Sequence, residues 1–132
     1  MKKIAVILTA LFCACSALVH PDKEKAKAVV EALIQKENNG DYASTSQYYT
    51  DGFNKSEPIE TRTAKLQQLH DGLGDFKSME LIKASDTTDA NDFPAVDLIY
   101  RVKHTKLNSI EEFTVITEEG NLRVEEHSVV KE

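Results

Sequence analysis

The sequence predicts an α+β fold, three N-terminal helices followed by a four-stranded antiparallel sheet. Three observations predict it. Apolar residues recur at three- and four-residue spacing from Ala26 to Ile34, apolar and polar residues alternate from Phe93 to Val130, and Glu118-Glu119-Gly120-Asn121 carries a hairpin signal. The last of these works because glycine and asparagine accept the positive φ of a tight reversal.

A chain of 132 residues has the length of one domain, with room for one compact core. Its 41% hydrophobic and 29% charged residues describe an ordinary folded body, neither disordered nor membrane-embedded. Once Lys2 and Lys3 leave with a targeting segment, 22 acidic residues face 14 basic ones, which opposes nucleic acid as a partner. Both cysteines, Cys13 and Cys15, lie in the first fifteen residues. The folded body therefore has no thiol for a disulfide or a cysteine-based zinc site.

The N-terminus reads as an address. Lys2 and Lys3 precede a nine-residue apolar run, Ile4 to Phe12, which is the grammar of a secretory signal. Crossing ~30 Å of hydrocarbon takes ~20 apolar residues, and the polar stretch from His20 to Lys23 closes the run too early. Ala14 before Cys15 is similar to the bacterial lipoprotein signal, in which a small residue precedes an acylated cysteine. The resemblance implies a signal over residues 1–14, a tether over 15–24 and a domain over 25–132, held to the membrane by a lipid on Cys15. Ser16 after that cysteine implies the outer membrane. Ordinary cleavage beside the small residues around Cys15 stays open, and would leave a soluble periplasmic or secreted protein.

Pro21 and Asp22 start the first helix, whose apolar face is Ala26, Val29, Val30, Leu33 and Ile34, and Gly40 ends it. A short second helix is expected from Tyr42 to Tyr49, stopped by Thr50-Asp51-Gly52. Phe53 then stands as an anchor, and residues 54–56 form a loop. Pro58 opens a third helix that runs to Leu73, because proline tolerates a first turn where its missing N–H is not needed. Lys77 to Ser85 reads as the first strand, and the polar run from Asp86 to Asp92 as a connection. Those acids lack the glycine and closing glutamate of a calcium loop. The second strand, Ala95 to Thr105, places Val96, Leu98, Tyr100, Val102 and His104 on its inward face. The third runs from Ser109 to Glu118 and the fourth from Leu122 to Val130.

Asn39-Gly40-Asp41-Tyr42 at the helix break, Gly72-Leu73-Gly74 before the first strand, Val96 to Val102, Glu112 to Val115 and Gly120 to Val124 together resemble the nuclear transport factor two-like superfamily. The resemblance implies a cystatin-like cone, with the three helices packed on a curved sheet around a space for an apolar ligand. It also implies that acid–base chemistry occurs in that space in some members. The expected tryptophan of the final strand is absent, with Leu122 in that region.

The pocket candidates on this reading are Tyr48, Tyr49, Tyr100, His104 and Glu126. A general base must be buried enough to shift its pKa and face a hydrogen-bond donor. His104 shares a strand face with Tyr100, although a histidine at the open end of a strand is the plainer reading. Glu126 falls on the alternation of Leu122 and Val124, which buries a charge unless a bulge intervenes. His20 and His127 stand too isolated in sequence for a metal cluster, so neither metal nor cofactor is expected. Arg62, Lys65, Arg101 and Lys103 form no evident patch. The function expected from these residues is a non-enzymatic module of the bacterial envelope that binds a small apolar ligand or an envelope protein, with the sheet as a candidate homodimer surface. A small isomerase- or cyclase-like enzyme using His104 or Glu126 is the alternative.

Overall fold

The computed structural model describes residues 19–132. The signal read over residues 1–14 and the lipid site Cys15 lie outside the described residues. Helix α1 spans Lys23–Asn38, a 3-10 helix Tyr42–Tyr48, α2 Asp51–Ser56 and α3 Ile59–Leu73. Four strands follow, β1 Phe76–Thr88, β2 Pro94–His104, β3 Ser109–Glu118 and β4 Asn121–Lys131. The sheet order β1-β2-β3-β4 is the sequence order, and every neighbouring pair is antiparallel.

Local chemistry explains the helices. Asp22 caps α1 by accepting a hydrogen bond from the Lys25 N–H at 2.9 Å, and Ala26, Val30, Leu33 and Ile34 bury the stripe that faces the sheet. Thr50 caps α2 in the same way, accepting from the Phe53 N–H at 3.1 Å. That cap is why a helix stands where the sequence suggested a break followed by a loop. Gly52, taken as the breaker, lies within α2, which is only six residues long.

The core lies between α1 and the inner face of the sheet. Val96, Leu98, Tyr100 and Val102 from β2, Phe113 and Val115 from β3, and Val124 from β4 meet the α1 stripe. Burying aliphatic and aromatic side chains contributes about 1.5–3 kcal/mol each. This cluster is therefore the main source of stability.

Two expectations are corrected here. Among the described residues the helices number four, because Asp51–Ser56 is helical. The sheet is flat and open, neither curled nor closed, so a cystatin-like cone is not supported. Physically, closure requires the first and last strands to meet. Here β1 and β4 are opposite edges, and among the described residues the free edge of β4 is met by a single parallel bridge between Tyr49 and Val124.

One irregularity in the sheet sets up the site. Between β3 and β4 the register shifts at Thr114/Val115, so that Val115 pairs with Val124 and Thr114 with Glu126. Glu125 is the extra residue of a bulge. Beyond it Glu126 faces outward, and His127 joins Val124 on the inner face, opposite Phe113.

Candidate active site

Four elements converge behind the open end of the core. Glu37 comes from the last turn of α1, Tyr49 from the end of the 3-10 helix, Glu111 from β3 and His127 from β4. Glu37 continues the buried stripe of α1, three residues after Ile34 and four after Leu33. Glu111 continues the inward alternation of Phe113 and Val115. The bridge to Val124 and the bond from the Thr50 N–H to the Val124 carbonyl at 3.0 Å hold Tyr49 against β4.

The side chains form an unbroken hydrogen-bonded line. His127 Nε2 lies 2.9 Å from Glu111 Oε1, His127 Nδ1 lies 2.9 Å from the Tyr49 hydroxyl, and that hydroxyl donates to Glu37 Oε1 at 3.0 Å. Proton positions follow by counting. Tyr49 has one hydroxyl proton and gives it to Glu37, so the contact with Nδ1 requires a proton on nitrogen. Nε2 facing an ionised Glu111 requires another. His127 is then an imidazolium between two carboxylates. Moving two protons one step each, from Nδ1 to Tyr49 and from Tyr49 to Glu37, gives a neutral histidine and a protonated Glu37 with no change in total charge.

The electrostatics match this exchange. Burial, opposed chiefly by the charge of His127, pushes Glu37 up from 4.5 to about 7. Burial alone would lower the pKa of His127, but its bond to Glu111 and the charges of Glu37 and Glu111 leave it raised. Burial and the charge of Glu37 keep the Tyr49 phenol well above its usual range, so it conducts protons without resting as phenolate. The Phe113 ring stacks on His127 with centroids 4.1 Å apart and fixes the plane of the imidazole.

Arg62 positions Tyr49. Its side chain is almost wholly buried, and its guanidinium carbon lies 4.4 Å from the centre of the Tyr49 ring, a cation–π contact. Nη1 donates to Thr45 Oγ1 at 3.2 Å and Ser46 Oγ at 3.4 Å, while Nη2 donates to Asn54 Oδ1 at 2.7 Å and the Glu57 carbonyl at 3.0 Å. The Glu57 carboxylate lies 3.8 Å from Nε. The Phe53 ring stacks on Tyr49 at 4.1 Å, which explains the buried anchor read from the sequence.

Tyr49 and His127 line a pocket of about 460 Å³ whose apolar wall includes Phe53, Leu66, Leu69 and Val129. Glu37 and Glu111 line a smaller cavity of about 40 Å³ that shares Leu66, Leu69 and Val129 with the first. The relay thus runs along the boundary between the two spaces, with its middle members on the larger one.

Of the pocket candidates Tyr48, Tyr49, Tyr100, His104 and Glu126, only Tyr49 belongs to the relay, and His127, which the sequence set aside as too isolated for a metal cluster, stands at its centre. Tyr48 borders a separate surface hollow with Val29 and Leu122. Tyr100 is fully buried and packs edge-on against Phe113 at 6.1 Å. His104 sits half-buried at the end of β2, 3.5 Å from Ser109 Oγ, where burial lowers its pKa. It lines the smaller cavity but is not part of the relay. Glu126 is exposed on the outer face. Sequence reading missed Glu37, Glu111 and Arg62. Glu37 and Glu111 were findable as charges placed on otherwise apolar faces, whereas Arg62 had no such signal.

The expectation of a module without chemistry is overturned by this cluster. A ligand atom from each of Glu37, Glu111 and His127 lies within 4.8 Å of the other two. Two carboxylates and an imidazole are a donor set that a divalent ion accepts. Both His127 nitrogens already face oxygen acceptors at 2.9 Å, however, so metal entry would strip protons and break the relay.

No family model matches the chain, and no curated protein matches it. Among solved structures it is similar to ActVI-ORFA from Streptomyces coelicolor, with a TM-score of 0.55 and 11% identity over 82% of this chain and 95% of that one. At that identity the likeness is one of fold. Membership of the nuclear transport factor two-like superfamily is accordingly not shown, and the descriptor cystatin-like is withdrawn.

Proposed function

We propose that this protein is a small acid–base enzyme, isomerase- or cyclase-like, which moves a proton on an apolar ligand held beside Tyr49 and His127. The observation that carries the reading is the continuous line from Glu111 through His127 and Tyr49 to Glu37, with its two middle members on a ligand-sized pocket. Pockets of about 300–1,000 Å³ with few polar groups are the usual form of small-molecule sites.

Each residue has a role in this proposal. A substrate C–H bond breaks and its proton passes to the Tyr49 oxygen as the Tyr49 proton passes to Glu37. The electron pair stays on the substrate, delocalised towards an oxygen. The positive charge on His127 stabilises the anion that develops, and Glu111 holds the imidazole in place. Returning the proton to a different carbon completes an isomerisation, and returning it after ring closure completes a cyclisation. A carboxyl group with a pKa of about 7 suits both halves, since it accepts and releases protons at neutral pH. Export and a lipid on Cys15 belong to the same proposal as its cellular setting, the bacterial envelope.

The test is deuterium exchange into β-tetralone, an enolisable apolar ketone, followed by NMR in heavy water. The protein should accelerate exchange above buffer, and Glu37→Gln, which removes the final proton acceptor, should lower that acceleration by about 10²–10⁴-fold, the range for a general acid–base group. Exchange at the buffer rate with the intact protein would refute the reading.

A further inference from the structure

The pocket wall carries a charge pattern opposite to that of the chain. The chain as a whole has 22 acidic and 16 basic residues, yet the pocket is lined by three cations, Arg62, Lys65 and Lys131, and one carboxylate, Glu57. Glu57 is already engaged, with Lys65 Nζ at 3.0 Å and Arg62 Nε at 3.8 Å. Among the described residues Lys131 makes no ion pair. It is exposed, as is Lys65, whose side chain is 58% accessible. The two lysines therefore stand on the solvent side of the pocket, while Tyr49 and His127 form its buried end.

Strand geometry gives the length scale. His127, Val129 and Lys131 occupy successive inward positions of β4, so Val129 supplies apolar wall between the imidazole and the ammonium. Four residues at ~3.3 Å each separate the two Cα atoms by ~13 Å. Leu66 and Leu69 of α3 complete the apolar wall. The pocket wall is thus doubly positive once Glu57 is counted against Arg62, Lys65 and Lys131, and the relay behind it holds one imidazolium between two carboxylates. Across the pocket and the relay together a single positive charge remains, which one monoanionic head group neutralises.

We infer that the ligand is an amphiphilic carboxylate, its head group held at the rim by Lys131 and Lys65 and its apolar body extending over Leu66, Leu69 and Val129 towards Tyr49 and His127. This inference rests on the reading of the pocket as the reaction site. It adds the head group and the polarity with which the ligand enters. The relay then acts on the end of the molecule remote from the carboxylate.

Calorimetry with decanoate and its uncharged counterpart methyl decanoate, both below their aggregation limits, tests the assignment on the purified protein. Decanoate should bind at least tenfold more tightly than the ester. Lys131→Met and Lys65→Met should each weaken decanoate at least threefold and leave the ester unchanged, whereas Lys131→Arg should keep the preference. Both lysines are exposed, so the substitutions spare the core. Equal binding of acid and ester, or lysine variants that bind decanoate as the parent does, overturns the head-group assignment and leaves the pocket reading standing. If neither compound binds, the head-group assignment and the pocket reading fall together.

Discussion

Replacing Glu37 by glutamine should remove the pH dependence that the buried carboxyl imposes on stability. The folded protein holds the Glu37 proton with a pKa of about 7 against 4.5 for the unperturbed group, so the folded state binds that proton more tightly than the unfolded chain does. The stability this affinity supplies is complete below about 4.5 and is lost as pH rises towards 7. Integrating the proton linkage between pH 5 and pH 8, with 4.5 unfolded and about 7 folded, gives a loss on the order of 2–3 kcal/mol. His127 acts in the same sense, because its pKa is also raised and its contribution fades above the folded value. Glu37→Gln removes the titrating carboxyl and the anion that helps His127 keep its proton. The variant should therefore gain on the parent protein by a margin on the order of 2–3 kcal/mol from pH 5 to pH 8. In urea titrations with a slope of about 1–3 kcal/mol per molar, the difference in midpoints would shift by roughly 1–3 M. Parallel stability curves for the two proteins across that interval would refute the buried relay.

Three further outcomes are expected, the first two from the same geometry and the third from the proposed envelope setting. Arg62→Met should cost about 3–5 kcal/mol, because it strips a buried fork from its acceptors and leaves Glu57 without its guanidinium; Arg62→Lys should recover little, and thermal unfolding reads both. Deleting either Glu125 or Glu126 should leave a folded protein with His127 still inward, since one residue fewer closes the bulge. Deleting both should turn His127 outward and abolish cooperative unfolding, a parity effect visible in the histidine NMR titration. Mass spectrometry of protein taken from membranes should find a lipid on Cys15, and an unmodified N-terminus at Ala17 or Leu18 would eliminate the anchor.

The fold was legible where a single period governed a segment. Ala26 to Ile34 bury the face their spacing indicates, and β3 has the bounds that its alternation gave. The sequence was less informative where a local hydrogen bond or a long-range pairing decided the outcome. Thr50 turns a glycine-containing stretch into a helix by capping it, a contact that composition does not distinguish from a turn. Whether four strands curl or lie flat depends on what their edges meet. Alternation along each strand carries no information about that.

The relay was hidden for a different reason. Its hydrogen-bonded neighbours are separated by 12 to 78 positions in the chain, and each member carries a weak signal that becomes strong only in combination. Glu37 interrupts an apolar helical stripe, Glu111 interrupts an apolar strand face, and His127 comes into play only after a bulge. Alternation from Leu122 and Val124 reaches Glu126, so a bulge that removes the buried-charge problem there also carries the next residue inward. The same step that excludes Glu126 from the interior therefore selects His127. A charged residue on a strand's apolar face is thus a statement about its neighbour as well. Where the ladder slips to spare the charge, the following side chain inherits the buried position, and in this sheet that side chain is an imidazole facing two carboxylates and a phenol.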